Sequence, residues 1–113
     1  MADHIKIRPA GGTWVVRAGG AVLGESEDAL ELIEGENAPV IYFPRGDIAM
    51  DFMDASDTRA SNPDIGEAVY FSIVAKSGPI KDSAWSYESP KDALKGIAGY
   101  VAFATNKVAV EQV

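Results

Sequence analysis

The chain has 113 residues, 47% of them hydrophobic and 24% charged, with 17 acidic against 10 basic side chains, one histidine and no cysteine. That length suits one domain, residues 1–113, with a core of its own, and that composition excludes a disordered chain. The net charge of -7 and the scatter of the basic residues exclude nucleic acid and acidic membrane surfaces as main partners, and the lack of cysteine excludes disulfides, thiolate nucleophiles and cysteine-held metals.

The start, Met1-Ala2-Asp3-His4, lacks the basic and apolar regions of a secretion signal, and no later segment is long and apolar enough to span a bilayer, which points to a cytoplasmic location. Ile5 to Arg8 alternates as a strand does, and Gly11-Gly12 reads as a hairpin turn into Thr13 to Arg17. Gly19-Gly20 reads as a second hairpin turn, leading into Ala21 to Leu23. Ser26 offers a side-chain oxygen to free backbone amides, and Glu27 and Asp28 follow it. Together they predict one short helix from Ser26 to Glu34, with Ala29, Leu30, Leu32 and Ile33 on its apolar face.

Strands are expected at Val40 to Phe43 and Ile48 to Met53, followed by a polar connection from Asp54 to Glu67. Ala68 to Ala75 is a strong strand, reversed at Ser77-Gly78-Pro79 into Ile80 to Tyr87. A helical turn at Asp92 to Leu94 follows Pro90, and the chain closes with strands at Tyr100 to Phe103 and Val108 to Val110 around a turn at Thr105-Asn106-Lys107. Many short strands with one short helix and no strand-helix alternation predict a mainly β fold of antiparallel sheets, either a sandwich or a half-open barrel. Phe71, Ile73, Val74, Val101 and Phe103 are expected in its core.

Pro44-Arg45-Gly46-Asp47 interrupts the apolar run VIYFPRGDIAMDFM. As an adhesion tripeptide, Arg-Gly-Asp is a chance match. As turn chemistry the stretch makes sense: Pro44 presets φ, Gly46 permits a positive φ, and the Asp47 side chain caps the turn. Arg45 would then stand at the mouth of whatever the strands enclose. In Ala84-Trp85-Ser86-Tyr87, period two puts Trp85 and Tyr87 on one strand face and Ser86 on the other. Such a pair packs in a core or forms a wall on which a flat ligand stacks, with Tyr42 and Tyr70 supplying hydroxyls.

Asp47, Asp51, Asp54 and Asp57 lack the spacing of a calcium loop, and no Gly-Ser phosphate loop accompanies them, so they read as solvated faces. His4 is the one histidine. Without a second nitrogen or a sulfur ligand, no metal and no other cofactor are expected.

The segments IYFPRGDIAMDF, NPDIGEAVYFSI, AWSYESP and GYVAF, in that order from about Gly19 onward, resemble a small bacterial family called domain of unknown function 427. The resemblance implies a bent, tent-like arrangement of antiparallel sheets, and a nucleotidyltransferase-like label attached to the family. Members usually carry Cys-Pro-aromatic-Lys-Gly before the long strand. Here the segment is Asn62-Pro63-Asp64-Ile65-Gly66, so chemistry through that cysteine and lysine is closed to this chain.

The sequence identifies no catalytic residue and leaves open whether the chain is an enzyme. The expected function is binding of a small polar or aromatic ligand in a cleft between sheets, with Tyr42, Arg45, Asp47, Trp85 and Tyr87 as contacts. The alternative is a structural or interaction module that forms a homodimer through exposed strand edges.

Overall fold

The computed structural model describes residues 4–113, so the N-terminal reading of Met1 to Asp3 lies outside the described residues. The described residues form ten strands: β1 Ile5–Pro9, β2 Trp14–Ala18, β3 Ala21–Ser26, β4 Leu30–Glu34, β5 Val40–Tyr42, β6 Met53–Asn62, β7 Gly66–Ala75, β8 Gly78–Tyr87, β9 Val101–Phe103 and β10 Ala109–Gln112. They make three antiparallel sheets with orders β1-β4-β5, β10-β2-β3 and β6-β7-β8-β9, none closed into a barrel. Among the described residues no helix is long and apolar enough to cross a membrane.

The four-stranded sheet organises the core through simple alternation. Ala84, Phe103 and Val101 point to one face and gather with Val16, Leu23 and Phe43. There the rings of Phe43 and Phe103 meet edge to face, 5.9 Å between centroids, the arrangement their quadrupoles favour. Trp85, Tyr87 and Ala102 point to the other face and gather with Ile5, Leu32, Tyr42, Ile65 and Ile97. Both faces of one sheet are therefore covered, each by a three-stranded sheet.

Five local expectations are corrected. The segment expected as a helix is a strand, β4, paired on both sides: Leu32 lies opposite Ile7 of β1 and opposite Val40 of β5. Ser26 does use its side-chain oxygen, but it accepts from the Asp28 amide at 2.9 Å in a two-residue bend. A two-turn helix is marginal by itself, and two ladders of backbone hydrogen bonds outweigh its propensity.

Gly11-Gly12 is not a hairpin turn, because β1 and β2 belong to different sheets. Gly19-Gly20 is one: both residues have positive φ, and Ala18 faces Ala21 across a two-residue loop. Ile48 to Met53 is not a strand: Ile48 makes an isolated bridge to Gly24, a short 3-10 turn covers Met50 to Phe52, and only Met53 enters a strand, as the first residue of β6.

The polar segment from Asp54 is largely a strand, β6, at the edge of the central sheet. With mostly exposed side chains it carries no apolar alternation, and its charges and irregular register blunt the open edge. The hydroxyls of Ser56 and Thr58 donate to the Asp82 carboxylate at 2.6 and 2.7 Å, which ties that irregularity to β8. Val74, expected in the core, is exposed beside Val22 and Phe52, since its neighbour Ile73 takes the inward position.

Candidate functional site

Tyr42 is almost fully buried at the end of β5, and its hydroxyl accepts a hydrogen bond from the Trp85 indole Nε1 at 3.1 Å. Trp85 in turn lies against Tyr70, with ring centroids 6.1 Å apart. Tyr87, two residues along β8, joins the same cluster. Burial pushes the Tyr42 hydroxyl far above its ordinary range; the Trp85 bond offsets this slightly, while Tyr87 and the Glu34 carboxylate add to it. Tyr87 is raised as well, first by burial, then by Tyr70 and Glu34. The phenols are thus neutral hydrogen-bonding groups rather than general bases at neutral pH.

Outside this knot of rings lies a cleft of about 630 Å³ where the three sheets meet. Trp14 and Val110 line it from one sheet, Glu31, Val40 and Ile41 from a second, and Trp85 and Phe103 from the third, with Thr105 and Asn106 at its polar end. Its size falls in the range of small-molecule sites, and both tryptophans of the chain are in its wall. Trp14 is oriented by its own bond from Nε1 to the Gly11 carbonyl at 2.9 Å. The lone acid in the lining, Glu31, is already engaged by Arg8 Nε at 2.6 Å.

Arg45 does not join them. It reaches to the opposite face of β8, donating from Nε to the Gly99 carbonyl at 3.0 Å and from Nη2 to Ser86 Oγ at 3.1 Å and Glu88 at 3.0 Å. Its guanidinium also lies over the Phe71 ring, 5.5 Å from the centroid. Asp47 is exposed, and the turn it belongs to is closed by backbone, Asp47 N to the Pro44 carbonyl at 2.9 Å, with no capping side chain. Of the five residues singled out from sequence, the structure therefore brings together Tyr42, Trp85 and Tyr87, and holds Arg45 and Asp47 apart from them.

A second polar cluster forms at the edge of the aromatic knot. His4 Nε2 stands 3.2 Å from Asp64 and 3.7 Å from Glu34. Sequence inspection missed it because its members come from three segments, and only the pairing of Ile5 with Glu34 and the turn between β6 and β7 bring them together.

The family model described as Domain of unknown function (DUF427) matches residues 6–113, nearly the whole chain. The chain belongs to the DUF427 family. No curated protein matches it. In this DUF427 chain, Asn62 and Ile65 stand where the resemblance placed a cysteine and a lysine. Ile65 is buried in the core, and the Asn62 side chain accepts from the Asp64 amide at 2.9 Å. Both now have architectural work, shaping the turn that presents Asp64.

Proposed function

We propose that the chain binds a small, flat, largely uncharged ligand, such as a heteroaromatic ring, between Trp14 and Trp85. The observation that carries this reading is the cleft of about 630 Å³ with both tryptophans in its wall. Stacking on indole rewards any planar ring, and Thr105 and Asn106 offer polar atoms at one end to orient it. Since Glu31 is committed to Arg8, a strongly cationic ligand finds no free partner there. Tyr42 and Tyr87 serve as supports that hold Trp85 in place, while Arg45 and Asp47 fall outside the lining.

Intrinsic fluorescence tests this directly, because both tryptophans report on the same cleft. Titration with nucleobases, aromatic amino acids and heteroaromatic coenzymes should give saturable quenching for one class. The same compound at a hundredfold excess over its Kd should stabilise the fold by about 2.7 kcal/mol. Trp14→Ala should remove both signals. If no compound acts and the chain sediments as a dimer, the interaction-module reading replaces this one.

A further inference from the structure

We propose that His4, Glu34 and Asp64 form a site for a divalent first-row transition cation. Their ligand atoms all lie within 4.8 Å of one another. A cation bound at about 2.0 to 2.2 Å from each donor separates neighbouring donors by roughly 2.8 to 3.6 Å. The distances from His4 Nε2, 3.2 and 3.7 Å, are already close to that.

Without an ion the geometry is poorly matched, because Nε2 has at most one hydrogen to offer two carboxylates. Among the described residues neither Glu34 nor Asp64 has a lysine or arginine partner. A divalent cation on a neutral imidazole balances both acids at once.

The frame around the three ligands is fixed by backbone. The Gly35 amide donates to the His4 carbonyl at 2.8 Å, which sets His4 beside the end of β4. Asp64 is held by the Asn62 side chain and by burial of Ile65 next to it. All three side chains remain partly exposed, so a hydrated ion can enter and keep water on its free positions. One imidazole with two carboxylates suits zinc, cobalt or manganese, and the nitrogen ligand disfavours magnesium.

The test uses tag-free, chelator-treated full-length protein, titrated calorimetrically with Zn²⁺ and with Mg²⁺ and followed with Co²⁺ by visible absorption. The expected result is one Zn²⁺ per chain, cobalt bands in the visible, and Zn²⁺ bound at least a hundredfold more tightly than Mg²⁺. His4→Ala and Asp64→Asn should each weaken Zn²⁺ at least tenfold. Their circular dichroism should not change, since both side chains are at the surface. Trp14→Ala should leave zinc binding intact, which separates this site from the cleft. Lack of saturable binding, equal affinity for Zn²⁺ and Mg²⁺, or undiminished binding by both variants would overturn the proposal.

Discussion

Arg45 fixes the turn after β5 to the far side of β8. Its three hydrogen bonds reach two segments remote in sequence, and one of them supplies a donor to Ser86 Oγ, a fully buried hydroxyl. The Glu88 pair is half in solvent and contributes little, so the Gly99 and Ser86 bonds carry the effect. Arg45→Ala should cost about 1 to 3 kcal/mol in urea unfolding, and Asp47→Ala should stay within about 0.5 kcal/mol. Equal losses would show that Asp47 holds the turn through its side chain after all. Sequence alone ranks the two the other way, because aspartate so often caps turns. It cannot show that this turn closes through backbone carbonyls, nor that β8 and Gly99 come within reach of Arg45. The pairing of Trp85 with Tyr87 was legible, since period two depends on no distant partner, whereas Trp14 and the His4 cluster depend wholly on long-range pairing.

At the scale of elements, β3 meets the turn of Arg45 to Asp47 through Gly24. A Cβ there would stand 2.5 Å from the Asp47 carbonyl oxygen and 2.6 Å from Ile48 Cδ1. The Ala49 amide also bonds the Leu23 carbonyl at 2.8 Å, so the two backbones cannot separate freely. Gly24→Ala should therefore cost about 1 to 3 kcal/mol, read as a lower urea midpoint with unchanged slope. A neutral result would mean that the turn can shift away. Strands that carry apolar side chains into a core, such as β7 and β8, announce themselves by composition. β6 does not, because an edge strand washed by solvent has no apolar stripe to display. β4 misleads in the opposite direction, since a serine followed by acids suits a helix start and a tight bend equally well.

For the molecule as a whole, the buried tyrosine gives stability a dependence on alkaline pH. The unfolded hydroxyl ionises near its ordinary value of 10.0, while the folded one, raised by burial, stays protonated well beyond it. Below that value Tyr42 is neutral in both states and stability is unaffected. Above it unfolding releases a proton, so stability falls by up to about 1.4 kcal/mol per pH unit from this group. Tyr42→Phe should lose about 0.5 to 1.5 kcal/mol at neutral pH, with the Trp85 bond, and then decline less steeply from pH 10 to 11. Parallel declines for the two proteins in denaturant titrations would show that Tyr42 ionises in the folded state.

The closing of the β10-β2-β3 sheet has a kinetic side. β6, β7 and β8 are joined by short turns and can zip together locally, but on its β10 side Val16 pairs with Val110, near the other end of the chain. The loop that must be closed first includes almost everything else in the protein, and the entropy of closing it is lost before any contact compensates. The hairpin of β2 and β3 must therefore wait with one edge unpaired while the central sheet assembles. Folding should be slow for so small a chain, and it is during that wait, rather than in the finished fold, that the molecule is most open to pairing with a second copy of itself.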